Sequence, residues 1–146
     1  MPGKLFYLLV SATLVPLVSF SQSTLNVTMS NVKNDRGVCR IALYSSAEAF
    51  PDGSGRAIKS AIVRARKGIV KVQFDHVPAG VYAIAVIHDE NEDGKLNTNL
   101  IGIPKEGYGA SNNRLPVTSA PRFSESCFTL SPGSKDISIE LKYSFF

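Results

Sequence analysis

Apolar and polar residues alternate with a period of two in several short segments of this chain, and this alternation constrains the fold more than any other feature. Leu25, Val27 and Met29 alternate with polar residues, and the segments 39–44 and 137–145 repeat the pattern. A period of two places successive side chains on opposite faces of a strand, so that one face can be buried. We therefore predict an all-β fold, in which 137–145 is the last strand.

Three further segments have strand or turn character. The run 81–88 is apolar at nearly every position, which is typical of a central strand covered on both sides. The segments 57–66 and 69–74 are separated by a Lys-Gly pair, which predicts an antiparallel hairpin because glycine tolerates a positive φ. The Val-Pro-Ala-Gly sequence at 77–80 predicts a β-turn.

With another short strand at 126–130, the chain has about seven predicted strands and no helix of ten residues. This pattern favours an antiparallel two-sheet sandwich of the immunoglobulin-like or transthyretin-like type. The connection 89–123 is too long for a passive connector in a compact domain, which makes it the candidate functional region. Its large apolar residues include Leu100, Ile101, Ile103, Tyr108, Leu115 and Val117, so we expect it to fold back on the sandwich and form one long structured loop.

The N-terminus resembles an export signal. Residues 1–4 carry one positive charge, residues 5–18 are mainly apolar, and two serines stand just before Gln22. This predicts a signal peptide over 1–21, cleaved near Gln22, and a single domain over 22–146 in the periplasm or the medium. A retained anchor is the alternative, but about 14 apolar residues interrupted by a proline fall short of the roughly 20 that a span needs.

The net charge is +4, which for an exported protein favours an anionic glycan, lipid head group or other cell-surface component over nucleic acid. No membrane span is predicted in the mature chain. One stretch is strongly basic and contains no acid, and it is either an anion-binding patch or a solvated face that protects a sheet edge. Its basic residues are Arg56, Lys59, Arg64, Arg66, Lys67 and Lys71.

An acidic loop, residues 89–99, follows the predicted central strand. Asp89, Asn91 and Asp93 stand at every second position and are followed by Gly94. Alternating oxygen ligands before a glycine are typical of calcium loops, because they converge on one hard cation. The predicted cofactor is therefore Ca²⁺. The candidate metal ligands are Asp89, Asn91, Asp93, the Lys95 carbonyl, Asn97 and Glu106.

The loop departs from an EF-hand in two ways. Leu100 stands where an EF-hand supplies a bidentate glutamate, and a strand precedes the loop instead of a helix. A missing carboxylate predicts a weak site, with a dissociation constant on the order of 10⁻⁴ to 10⁻³ M. The alternative is that the Asp and Asn side chains bond their own backbone in Asx-turns and need no ion.

The segment 78–113 resembles the exported bacterial family called domain of unknown function 2141. The resemblance rests on His88-Asp89-Glu90-Asn91, Gly94-Lys95-Leu96 and the glycines and asparagines that follow. It implies a small exported β domain and brings no activity. The chain departs from the family at Asn97, where Asp is frequent, and at Ala110, where Phe is frequent. The candidate loop-shaping residues are Gly94, Gly102, Pro104, Gly107, Tyr108, Gly109, Ser111, Asn112 and Asn113.

The remaining candidates concern covalent and catalytic chemistry. Cys39 and Cys127 are the only cysteines and could form a disulfide after export. No catalytic motif is present, so we predict a non-enzymatic binding or structural module without catalytic residues. The alternative is a hydrolase or isomerase of small extracellular molecules, with His88, Glu106 and Tyr108 lining a pocket in the 88–113 loop.

Overall fold

The computed structural model describes residues 22–52, 56–117 and 119–144. The predicted signal peptide, 1–21, and Phe145 of the last predicted strand lie outside these residues. The described part contains eight strands and two short helical turns. In chain order they are β1 (Gln22–Val32), β2 (Val38–Tyr44), β3 (Lys59–Arg64), β4 (Gly68–Pro78), β5 (Gly80–Asp89), β6 (Gly107–Ala110), a 3₁₀ turn (Ser111–Asn113), α1 (Phe123–Ser126), β7 (Phe128–Leu130) and β8 (Gly133–Glu140).

The strands form two sheets, which confirms the predicted all-β sandwich. The first sheet has the order β4-β1-β8, and the second has the order β3-β2-β5-β6 with β7 also paired to β5. All pairs are antiparallel except β1 and β8, which run parallel. No helix within the described ranges is long and apolar enough to cross a membrane.

The main core lies between the two sheets and consists of the residues that the alternation marked. Leu25, Val27 and Met29 of β1 are buried, and they face Ile41 and Leu43 of β2 within one cluster. Burying a side chain of this size contributes about 1.5–3 kcal/mol. The period of two therefore positions β1 and β2 correctly, because each strand has one face toward the core.

Strand β5 is buried on both faces, as its uninterrupted apolar sequence predicted. Ile84 and Val86 belong to the main core, whereas Ala83 belongs to a second cluster on the other face of the sheet. In that cluster Tyr44 and Phe50 pack edge to face at 5.7 Å between ring centroids, an arrangement that aromatic pairs prefer. The carboxyl end of β5 is therefore a rigid support for the acidic loop.

The predicted hairpin between 57–66 and 69–74 is wrong. Strand β3 pairs with β2 in one sheet, and β4 pairs with β1 in the other. Gly68 does adopt a positive φ of 96°, but the chain crosses between sheets here instead of reversing within one. Ala65, buried in the main core, lies in the crossing, so the connection helps to close the sandwich.

A second crossing replaces the β-turn predicted at 77–80. Only Ala79 separates β4 from β5, although the two strands belong to different sheets. The hydroxyl of Tyr82 donates a hydrogen bond of 2.9 Å to the Pro78 carbonyl. The same contact, a tyrosine bonded to backbone a few residues upstream, stabilises the corners of immunoglobulin-like sandwiches.

Candidate functional site

Asp89 ends β5 and organises the acidic loop from within. Its side chain is fully buried, and its Oδ2 accepts hydrogen bonds from Arg40 Nε at 2.6 Å and from the Gly94 amide at 2.9 Å. Its Oδ1 accepts the Asp93 amide at 3.1 Å. A buried carboxylate needs such partners because desolvation without them is costly. The Arg40 guanidinium neutralises Asp89, and the two amides fold the loop over it.

Asp93 lies in the exposed part of the loop and makes a second set of bonds. Its Oδ1 accepts the Lys95 amide at 2.9 Å, and its Oδ2 accepts the side-chain amides of Asn97 at 2.8 Å and Asn91 at 3.2 Å. The Asn97 bond is the main reason that the pKa of Asp93 is lowered, followed by the Lys95 amide. Bonds to the charged form favour that form, so Asp93 is an ionised carboxylate that holds an Asx-turn.

Glu106 closes the loop from the other side. It is buried just before β6, and its two carboxylate oxygens accept the backbone amides of Glu90 and Asn97, both at 2.9 Å. One side chain therefore joins the two ends of the acidic loop. Hydrogen bonds from backbone amides to a carboxylate are among the stronger ones in proteins, which makes Glu106 a structural clamp.

These contacts bear on the calcium hypothesis. The structure brings the predicted ligands Asp89, Asn91, Asp93 and Asn97 into one loop. The oxygens of the first three accept hydrogen bonds from amides or from the Arg40 guanidinium, and Asn97 donates its side-chain amide to Asp93. In the part of the chain that the structure describes, no three acidic, histidine or cysteine side chains form a metal-binding group. Calcium binding stays a prediction, and the hydrogen bonds favour the alternative of Asx-turns.

A small hairpin, residues 97–105, projects after the acidic loop, and we call it the tip hairpin. The Lys105 amide donates to the Asn97 carbonyl, and the Asn99 amide donates to the Ile103 carbonyl, both at 2.8 Å. The turn is held by Asn99 Oδ1, which accepts the amides of Ile101 and Ile103 at 3.0 and 2.9 Å. Asn99 was not among the predicted site residues, although asparagine in a loop commonly accepts the amide two residues further on and so forms an Asx-turn.

Most predicted loop-shaping residues act through backbone geometry. Gly94 and Gly102 have φ near +82°, which other residues rarely adopt. A Cβ on Gly107 would lie 2.4 Å from the Tyr143 ring, and one on Gly109 would lie 2.7 Å from the Ile139 side chain. These glycines let β6 approach the end of the chain closely. Two further members of this set, Pro104 and Tyr108, contribute backbone pairing. Pro104 bridges to Thr98, and Tyr108 exchanges two backbone hydrogen bonds with Lys142.

The Ser-Asn-Asn sequence at 111–113 ties the long loop to the sandwich. Ser111 is fully buried, accepts the Ile84 amide and donates to the Ser126 carbonyl. Asn112 donates to the carbonyls of Glu125 and Cys127. Asn113 accepts the Glu140 amide at 2.8 Å and donates to the Ser138 carbonyl. All three residues connect segments distant in sequence, so their role is structural.

His88 is buried in a network that the sequence did not reveal. Its Nε2 bonds the Arg36 carbonyl and its Nδ1 bonds the Tyr143 hydroxyl, both at 2.8 Å. Because a carbonyl only accepts, Nε2 carries a hydrogen, and Nδ1 shares its hydrogen bond with the Tyr143 hydroxyl. The Tyr143 oxygen also accepts the Lys33 amide at 3.0 Å. Both ring nitrogens of His88 are thus occupied by hydrogen bonds within the fold, and the catalytic alternative stays a prediction.

The two cysteines are free thiols in the structure, so the disulfide that the sequence allowed is not formed. Cys39 lies in the main core between the sheets, and burial raises the pKa of its thiol to about 11. Cys127 follows α1 and is partly exposed, with its Sγ 3.6 Å from the Ser124 carbonyl. A buried thiol with a raised pKa is unreactive.

A polar cleft of about 430 Å³ lies beside the acidic loop, and we call it the basic cleft. Three cations contribute to it, two from the β1–β2 connection and one from the tip hairpin. None of them was among the predicted site residues, because only the fold brings these two segments together. The lining residues are Lys33, Arg36, Glu90, Asn91, Asn97, Thr98, Lys105 and Glu106. The basic stretch at 56–71 is divided between two sheets and contributes no residue to this cleft.

The charges in the basic cleft do not cancel. Arg36 pairs with Glu90, and the Glu106 oxygens are bonded to backbone amides. Among the described residues, no carboxylate lies within salt-bridge distance of Lys33 or Lys105. In the same part of the structure the buried Asn97 Oδ1 has no hydrogen-bond partner. The cleft therefore offers two ammonium groups that have no carboxylate within salt-bridge distance, and its three cations outnumber its two carboxylates.

The chain is a small all-β sandwich in which a self-bonded acidic loop adjoins a basic cleft. The chain belongs to domain of unknown function 2141, described as an uncharacterized protein conserved in bacteria, and the family model matches residues 27–138. The family resemblance found in the sequence is thereby confirmed. No curated protein and no solved structure matches the chain.

Proposed function

We propose that this protein is a non-enzymatic binding module, exported through its N-terminal segment, that holds an anionic group in the basic cleft. Acidic glycans and other anionic cell-surface components carry this chemistry. The observation that supports the proposal is the pair of lysines, Lys33 and Lys105, that line the cleft without a carboxylate within salt-bridge distance among the described residues.

The two lysines favour a ligand that carries a negative charge. A carboxylate or phosphate attracts the ammonium groups of Lys33 and Lys105, and charge-assisted hydrogen bonds of this type are roughly twice as strong as neutral ones. A neutral sugar carries no charge with which these ammonium groups can pair.

The surrounding structure supports binding without large rearrangement. Asn97 is held through its backbone by Glu106, Lys105 is held in the tip hairpin, and the Lys33 amide bonds Tyr143. The Lys33 ammonium also lies 5.8 Å from the centre of the Tyr143 ring, a cation–π contact that limits its motion. Preorganised groups lose less entropy on binding.

The proposal is tested with oligomers of polygalacturonate, a soluble glycan that carries carboxylates and hydroxyls. Calorimetric titration compares the protein with the variant Lys33→Ser/Lys105→Ser. The matched control, Lys59→Ser/Lys71→Ser, removes the same charge from the basic stretch outside the cleft. We expect the cleft variant to bind about tenfold more weakly or worse, and the control variant to bind like the original.

Two results would overturn the proposal. One is equal weakening by both double variants, which would mean that net charge alone attracts the glycan. The other is an affinity that does not change with ionic strength, because salt must screen contacts between exposed charges. Dextran, which has the hydroxyls without the carboxylates, serves as the ligand control.

A further inference from the structure

Leu100 and Ile101 form an exposed apolar tip. Their exposed fractions are 107% and 77%, so both side chains extend into solvent at the turn of the tip hairpin. Turn positions favour glycine, proline, asparagine, aspartate and serine. Single exposed apolar residues are ordinary on protein surfaces, but two adjacent ones at the extremity of a projecting turn form a contact point.

The tip is held in place before any partner arrives. Asn99 bonds the amides of Ile101 and Ile103, and the Gly102 amide donates to the Asn99 carbonyl at 3.0 Å. The two apolar side chains are therefore presented by a closed turn, so that ordering them on contact costs little.

Three cations and two carboxylates lie at the base of the same hairpin. Thr98 and Lys105, from its two strands, line the basic cleft together with Lys33 and Arg36, and with Glu90 and Glu106. Glu90 pairs with Arg36, so the cations outnumber the carboxylates. The hairpin itself, 97–105, contains a lysine and no acid. An apolar tip with cations at its base is complementary to a bilayer with anionic head groups, where the apolar part enters the acyl region and the cations remain at the surface.

We propose that the tip hairpin docks the protein on an anionic lipid bilayer by inserting Leu100 and Ile101, while Lys33 and Lys105 face the head groups. The inference rests on the proposed function, because it assigns the anion of the cleft to a lipid surface. A protein partner fits less well. Two side chains supply far less than the roughly 800 Å² per partner of a stable protein interface, whereas bilayer binding scales with whatever apolar area is inserted.

The test is cosedimentation with vesicles of phosphatidylcholine alone and of phosphatidylcholine mixed with phosphatidylglycerol. The tip variant is Leu100→Ser/Ile101→Ser. The matched control is Ile62→Ser/Ile69→Ser, which removes two side chains of similar exposure, 60% and 58%, from β3 and β4. Binding of each variant to soluble polygalacturonate is measured in parallel.

We expect binding to the mixed vesicles only, weakened about tenfold or more in the tip variant and unchanged in the control variant. Polygalacturonate binding should be the same in both. Loss of vesicle binding in the cleft variant Lys33→Ser/Lys105→Ser would further support the proposal.

Three outcomes contradict the proposal in distinguishable ways. If the protein binds polygalacturonate but ignores the mixed vesicles, the docking inference fails, a protein groove becomes the partner of the tip, and the proposed function stands. If the tip variant binds vesicles like the original protein, attraction is purely electrostatic and insertion is excluded. If the protein binds neither polygalacturonate nor vesicles, the proposed function itself fails.

Discussion

The buried imidazole of His88 connects three parts of the chain that are distant in sequence. It links β5 to the β1–β2 connection through Arg36 and to the C-terminal segment through Tyr143. The Tyr143 oxygen continues the network to the Lys33 amide. Since Lys33 and Arg36 also line the basic cleft, these bonds position one wall of the cleft.

The variant Tyr143→Phe tests this network. At neutral pH we expect a loss of about 1–3 kcal/mol in the free energy of unfolding, because the His88 nitrogen and the Lys33 amide lose their partner. Burial raises the pKa of Tyr143 from its ordinary 10.0 to about 12. A raised pKa means that the hydroxyl stabilises the fold fully below pH 10 and loses this effect as the pH rises toward 12.

The stability difference between the original protein and the variant should therefore shrink across that pH range. Urea unfolding at neutral pH and at steps above pH 10 measures it, with Tyr108→Phe as the control. Among the described residues the Tyr108 hydroxyl makes no hydrogen bond, so that its removal should change little. A stability difference that stayed constant with pH, or that was absent at neutral pH, would contradict a stabilising role of the Tyr143 hydroxyl in this network.

At the scale of elements, alternation predicted the strands whose signal is local. The expected face is buried in three predicted segments that lie in or next to observed strands: 25–30, 39–44 and 137–141. The segment 81–88 lies in β5, inside the second sheet. The sandwich could therefore be predicted, since burying one face of each strand requires a second sheet.

The pairing of strands could not be predicted in the same way. A Lys-Gly pair permits a reversal, but whether the next strand stays in its sheet depends on distant partners. Here β4 pairs with β1, and the paired residues Val32 and Gly68 are more than 35 positions apart in the sequence. Strand β8, near the other end of the domain sequence, pairs with β1 in parallel. Such long-range choices have no local sequence signal.

The candidate site likewise contains residues that the sequence could identify and residues that it could not. Asp89, Asn91 and Asp93 could be grouped from their spacing, because residues this close must share a loop. Arg40, which neutralises Asp89, could not be found, since the register of β2 on β5 brings it there. Lys33, which lines the cleft, could not be found either, because it lies in the β1–β2 connection, far from the loop in sequence. Cross-strand partners are specified by the fold and not by a motif.

Calcium titration tests the acidic loop as an element. A site with a dissociation constant on the order of 10⁻⁴ to 10⁻³ M would add about 1.4–2.7 kcal/mol to stability at about 10 mM calcium and raise the melting temperature by several degrees. We expect a shift below about 1 °C, because Arg40 already neutralises Asp89 and the carboxylate oxygens of Asp89 and Asp93 already accept hydrogen bonds. Calorimetric melting with calcium or with a chelator measures this.

The variant Asp93→Asn provides the control for that titration. It leaves Asp89 and Arg40 in place and removes only the Asp93 carboxylate, which lies in the exposed part of the loop. A rise of several degrees with calcium that disappears in Asp93→Asn would contradict the self-bonded loop and establish a calcium site.

At the scale of the whole molecule, the fold concentrates its chemistry beyond the carboxyl end of β5. The acidic loop, the tip hairpin and β6 follow one another there, and the bond pair between Tyr108 and Lys142 joins β6 to the segment after β8. The C-terminal segment thus braces the long loop, and His88 fastens the β1–β2 connection beside it. The rigid sandwich supports a cleft built from three separate parts of the sequence.

The central claim is that an anionic group binds in the basic cleft, and amide NMR during a titration with polygalacturonate tests it most directly. The account predicts that resonances of Lys33, Arg36, Asn97, Thr98 and Lys105 shift together with one affinity, while those of 59–71 stay in place. Shifts centred on the basic stretch 59–71, or no shifts in the cleft at saturating glycan, would contradict it.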